Sequence, residues 1–213
     1  TQGALSEEMA CGILEQVTKA LAEAHSKGVI HRDLKPKNIR VRELADGELQ
    51  AKVLDFGIAK VLEGDESGDD KLTGTGMTLG TPPYMSPEQI VGEPVDARAD
   101  LYSVGCILHE LLTGKIPFSS TERRQVFLMH MSAKTPELPK TLVDGNPPSS
   151  GLIEFHKALL QKNKDLRPAS AKVSAKIFRA LSRGKKIEVS KTLSEALAEV
   201  RAQTLKVRHD TGE

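Results

Sequence analysis

Three short signals constrain this chain more than anything else in it. They are His31-Arg32-Asp33-Leu34-Lys35-Pro36-Lys37-Asn38, then Asp55-Phe56-Gly57, then Ser86-Pro87-Glu88. Between the first two lie two short strand-like stretches, Ile39 to Arg42 and Ala51 to Leu54, separated by Asp46-Gly47. An Asp-Gly pair between two such runs is a hairpin signal. A hairpin here sets Asn38 just before one strand and Asp55 just after the other. Two oxygen-bearing side chains seventeen apart in sequence then meet at one end of the hairpin. That is the geometry two ligands of a hard cation require.

Around this centre the pattern is helical. Residues 7–27 read as a helix: Ser6 suits the N-cap, Glu7 and Glu8 suit the first turn, and Ala10, Ile13, Leu14, Val17, Leu21 and Ala24 form one buried stripe. Gly28 ends it, and Val29-Ile30 form an extended stub. Residues 101–113 are apolar nearly all round, so they form a central buried helix, closed by Gly114. Further helices are expected over 119–131 and 151–162, with Asn146-Pro147-Pro148-Ser149 as a loop between them. Pro168 suits the first turn of a helix reaching Leu181, with Val173 and Ile177 facing inward. Arg183-Gly184-Lys185-Lys186 reads as a linker, and Thr192 with Glu195 has capping-box spacing before a last helix to about Gln203. Residues 63–80 have too little apolar surface to pack firmly and are expected to form a mobile loop.

Several functions are disfavoured by composition. The 213 residues carry a net charge of +1, so the basic footprint of a nucleic-acid binder is missing. Cys11 and Cys106 are far apart and form no C-x-x-C, which argues against a disulfide scaffold or zinc site and fits a reducing cytoplasm. No apolar stretch approaches the ~20 residues of a membrane span.

The first signal matches H-R-D-L-x-x-x-N at every fixed position. With Asp55-Phe56-Gly57 and Ser86-Pro87-Glu88 behind it, the chain resembles the protein kinase family. Lys35-Pro36 resembles the serine/threonine branch, and Gly80 to Glu88 is similar to bacterial members. The resemblance runs from about residue 5 to about residue 182 and covers only the larger, mostly helical lobe. It implies a mainly α fold with small β-hairpins (α+β), a partial kinase domain over 1–182, and a linker plus short helix over 183–213.

It also implies roles. Asp33 orients the attacking hydroxyl, and Lys35 offsets charge on the transferring phosphoryl group. Asn38 and Asp55 hold Mg²⁺, with ATP as the phosphoryl donor. Thr81 and Tyr84 belong to the shelf under a protein substrate's Ser or Thr. Arg32 senses a phosphate on the loop, with Thr73, Thr75 and Thr78 as candidate phosphosites. His31 and Phe56 pack together as structural support beside Gly57, Glu88 pairs with Arg167, and Asp100 holds the backbone of the catalytic run. Tyr102 stands where a Trp is often found.

The Gly-rich loop, strand Lys and helix Glu that kinases place upstream have no counterpart in the thirty residues before His31. Lys19 and Lys27 lie on the first helix, and Lys52 lies on the strand before Asp55, so none can substitute. The chain is therefore expected to be a fragment, inactive alone. One alternative is a non-catalytic binding or regulatory module of the same fold. Another is a small-molecule phosphotransferase, against which the shelf and Arg167 argue.

Overall fold

The computed structural model describes residues 3–56 and 82–199. Its first helix, α1 (Glu7–Ser26), starts where the sequence indicates: Ser6 Oγ accepts the Met9 N–H, and Glu7 and Glu8 meet the positive end of the dipole. Gly28 follows with φ 74, a conformation suited to glycine. Val29 and Ile30 join no strand.

Strands β1 (Ile39–Glu43) and β2 (Leu49–Val53) pair antiparallel, with Ile39 opposite Val53. They form the only sheet among the described residues, one of the small hairpins expected from the sequence. Gly47 (φ 82) makes the turn, and Asp46 Oδ1 accepts the Glu48 N–H. The Gln16 side chain on α1 clips the free edge of β2: it donates to Leu49 O at 2.8 Å and accepts from Ala51 N at 3.0 Å. A short helix α2 (Pro87–Val91), announced only by the capping-box spacing of Ser86 and Gln89, follows a 3-10 turn at Pro82–Tyr84.

The centre is α3 (Arg98–Thr113), three residues longer at its start than the apolar pattern indicates. It is buried from Ala99 to Leu112 apart from Glu110, as its all-round apolar character requires. Gly114 closes it with φ 72. Around it stand α1, α4 (Arg123–Ser132), α5 (Ser150–Leu159) and α6 (Ala171–Leu181). Both α4 and α5 are shorter than the sequence suggests. Pro168 lies outside α6, whose N-cap is Ser170, accepting from Val173 N. The inward stripe of α6 is Ala171, Ser174, Ala175, Ile177, Phe178 and Leu181; Val173 is half-buried.

A last helix, α7, spans 189–199. Thr192 lies inside it and bonds back to Glu188 O, so the expected cap at Thr192 is replaced by an ordinary i−4 contact. Gln203 lies outside the described residues. Val189 is fully buried in the main core, so α7 shares that core with α1 and α6. Both cysteines are buried and free. No described helix is long and apolar enough to cross a membrane.

Two packing details are open to test. A Cβ on Gly105 would lie 2.9 Å from Leu159 Cβ and 3.1 Å from Leu160, because α3 and α5 cross there in close contact. Gly105→Ala should cost ~1–3 kcal/mol. Gly12→Ala on α1, where nothing lies within 4 Å, should be neutral or stabilising by up to ~1 kcal/mol. Urea midpoints at constant m separate the two.

His109 on α3 and His156 on α5 stack with Nδ1 and Nε2 3.2 Å apart. Burial pushes His109 down to about 4. Burial, then the neighbouring His109 and Lys157, push His156 down to about 3. The unfolded chain protonates both near pH ~6.5, so their contribution is present above that value and is lost on acidification toward the folded values. Stability should fall by up to ~1.4 kcal/mol per pH unit per histidine below pH ~6.5. His156→Gln should flatten that slope in denaturant titrations between pH 7.5 and 4.5.

Candidate active site

The run His31 to Asn38 is held on three sides. From α3, Asp100 accepts the His31 N–H at Oδ2 and the Arg32 N–H at Oδ1, both at 2.9 Å. His25 Nε2, at the end of α1, lies 2.8 Å from Asp100 Oδ2. Asp100 is only 1% exposed, and three donors satisfy it there. From the strand side, His31 Nε2 lies 3.0 Å from Leu54 O, and its ring packs on Phe56 with centroids 5.0 Å apart. From α2, Gln89 Nε2 donates to Arg32 O at 2.7 Å.

These contacts fix an unusual backbone. Arg32 has φ 63, and Asp33 N donates to His31 O at 2.9 Å, the i to i+2 bond of a γ-turn. A side-chain-bearing residue at positive φ costs ~1–3 kcal/mol and persists only where its surroundings dictate it. Asp55 is the other such residue among those described, at φ 50. Strained backbone thus sits next to Asp33 and at Asp55 itself.

Lys35 and Asn38 converge on Asp33. Lys35 Nζ donates to Asp33 Oδ2 at 2.7 Å, with both groups about one-fifth exposed. Asn38 Nδ2 donates to Asp33 O at 2.9 Å, which turns the Asn38 side chain back toward the Asp33 segment. Leu54 N donates to Asn38 O at 2.8 Å, so Asn38 and the residue before Asp55 are bonded across the mouth of the hairpin. The oxygens of Asn38 and Asp55 are hard donors, and so few protein ligands suit Mg²⁺, which keeps water and takes substrate phosphates. No group of three or more His, Cys, Asp or Glu gathers to hold a metal ion among the described residues.

Beside this centre, Tyr84 Oη donates to Glu110 at 2.7 Å, and Ser103 Oγ donates to Tyr84 O. Burial, then the Glu110 carboxylate, raise the Tyr84 phenol well above its usual range. Glu88 and Arg167 form a bidentate pair at 2.6 and 2.8 Å. Arg167 gives its remaining N–H groups to Gln161, Lys162 and Arg98 carbonyls, so all five donors are used. Tyr102 is fully buried, with the Arg167 guanidinium 4.9 Å over its ring. Arg32 is half-buried, and its Nε finds no partner among the described residues. Gly57, Thr73, Thr75, Thr78 and Thr81, and the loop expected over 63–80, lie outside the described residues.

Comparison with known proteins bears on the family. The family described as "Protein kinase domain" matches residues 1–178. The chain belongs to that family. Among its relatives is serine/threonine-protein kinase pkn2 of Myxococcus xanthus, 41% identical over 80% of this chain and 20% of the relative. Pkn3 of the same organism is 42% identical over 78% of this chain and 30% of the relative. PknB of Mycobacterium tuberculosis is 34% identical over 92% of this chain and 30% of the relative. The kinase chain is thus of the bacterial serine/threonine type, and it spans less than a third of the length of these relatives.

Sequence reasoning missed Gln89 and His25. Ser86 and Gln89 have the spacing of a capping box, which was a usable signal. Nothing local marks His25, whose partner lies 75 residues away.

Burial alone would raise the Glu88 carboxyl, but the hydrogen bonds and charge of Arg167 outweigh it and hold Glu88 below the ordinary range. The pair therefore stabilises above pH ~4.3, and that contribution is lost as pH falls through the folded value. Arg167→Ala should cost ~3–5 kcal/mol by stranding a buried carboxylate. The double variant Arg167→Met, Glu88→Leu should recover only the carboxylate's share, because the Gln161, Lys162 and Arg98 carbonyls still lose their donors, as measured by urea unfolding.

Proposed function

We propose that the protein to which this kinase chain belongs transfers the γ-phosphate of ATP to serine or threonine hydroxyls of proteins. The observation that carries the proposal is the hydrogen-bonded chain Lys35–Asp33–Asn38–Leu54 at the mouth of the hairpin. Phosphoryl transfer asks for positioning and electrostatics rather than covalent chemistry from the protein. Asp33 accepts a hydrogen bond from the acceptor hydroxyl and aims its oxygen. Lys35, held against Asp33, sets a compact positive charge where negative charge develops. Asn38 and Asp55 hold Mg²⁺, which when bound neutralises phosphate charge. Tyr84, tied to α3 through Glu110 and Ser103, forms the floor for the acceptor peptide together with Thr81. Arg32 receives the phosphate of a modified Thr73, Thr75 or Thr78.

The chain carries the helical lobe of the kinase, residues 1–182, followed by a linker over 183–188 and by α7, which packs back onto the lobe's core, and it works in the cytoplasm. Residues 1–30 themselves contain no Gly-rich phosphate cradle and no strand lysine. An apolar groove of about 350 Å³ on the α1–hairpin side, with Met9 and Val41 more than 40% exposed, fits a surface that further structure covers.

In the full-length protein, incorporation of labelled phosphate into a generic basic protein should be robust. Asp33→Ala should lower it by ~10²–10⁴-fold, and Asp55→Asn should raise the magnesium concentration required. The 213 residues alone should give no measurable incorporation. Phosphate placed on small-molecule acceptors but not on proteins would overturn the substrate class.

A further inference from the structure

We propose that Gln89 is a positioning residue that latches the peptide carrying Asp33, an inference that rests on the function proposed above for Asp33. Gln89 is the third residue of α2, and both ends of its amide are engaged. Its Oε1 accepts the Ser86 N–H and the Ser86 hydroxyl, each at 3.1 Å. Its Nε2 donates to Arg32 O at 2.7 Å, across 57 residues of sequence. Ser86 is fully buried, so the acceptor end is pinned and the donor end has one direction left.

Arg32 O and Asp33 N belong to one peptide plane. Gln89 holds its carbonyl end, and the γ-turn bond to His31 O holds its amide end. The preceding peptide is held by Asp100 through Arg32 N. Arg32 is the strained residue between these two planes. Asp100 alone fixes only the near side of the strain; the far side, which sets the direction of the Asp33 side chain, is fixed from α2. Strain of this kind survives only where both sides are determined. Because α2 directly follows the Tyr84 shelf, Gln89 also couples the floor for the acceptor to the group that aims the hydroxyl.

The amide matters chemically. A glutamate at 89 keeps the acceptor for Ser86 but turns an oxygen toward Arg32 O, replacing a hydrogen bond by repulsion. Gln89→Glu therefore separates capping of α2 from latching of the loop. Methionine at 89 removes both bonds while conserving volume, without repulsion.

The experiment is amide hydrogen exchange, followed by NMR on the ¹⁵N-labelled chain, with Leu108 of α3 as the reference for global opening. Relative to Leu108, Gln89→Glu should speed exchange at Arg32 and Asp33 by at least ~tenfold, while Ile90, bonded to Ser86 O, keeps wild-type protection. Gln89→Met should speed all three. Wild-type rates at Arg32 and Asp33 in both variants would overturn the proposal and leave Gln89 as a helix cap only. In the full-length protein, Gln89→Glu should lower kcat at least ~tenfold with KM for ATP unchanged; a change confined to KM would also overturn it. A loosened loop in a protein whose activity survives Asp33→Ala would remove the function proposed for Asp33 and leave the latch intact.

Discussion

The carboxylate of Asp100 is the constraint on which the site depends. It sits in the first turn of the central helix, fully surrounded, and takes two backbone N–H groups of the His31–Asn38 run and a ring nitrogen of α1. A buried carboxylate is stable only if its lone pairs are used. The two backbone donors come from a stretch that would otherwise relax out of its strained turn. Each side therefore supplies what the other lacks, and the loop takes its orientation from the rigid core.

Three further struts carry this order outward. Gln16 closes the free edge of β2 onto α1, so the hairpin that presents Asn38 and Asp55 cannot swing away from the helix. The His31 ring joins the run to the backbone before Asp55. The Glu88–Arg167 pair fixes α2 to the segment before α6, and α2 in turn carries Gln89. Local geometry at the site is imposed by elements scattered from Gln16 to Arg167.

Much of this was legible in the chain. The α1 stripe, its Ser6 cap and its Gly28 stop are local, and local physics placed them within a residue or two. The buried character of α3 follows from apolar residues on every side, and the Asp-Gly hairpin from turn chemistry. The errors lie where tertiary contact overrides local pattern. Pro168 suits a helix start, yet the chain there is bound up with Arg167, whose five donors fix the backbone around it, and α6 begins only after Ser170. Thr192 has cap spacing, but Val189 is pulled into the core and the helix begins before Thr192.

The candidate site divides the same way. The identities of the groups, a carboxylate, an ammonium and two oxygen donors in a fixed order, are properties of the sequence alone, because side-chain chemistry and spacing along a hairpin require no fold to be recognised. Their aim is a property of the tertiary structure alone. A positive φ at Arg32, the donors that satisfy Asp100, and the reach of Gln89 across 57 residues depend on which surfaces meet. The strain at Arg32 is unfavourable locally, and only contacts distant in sequence offset it.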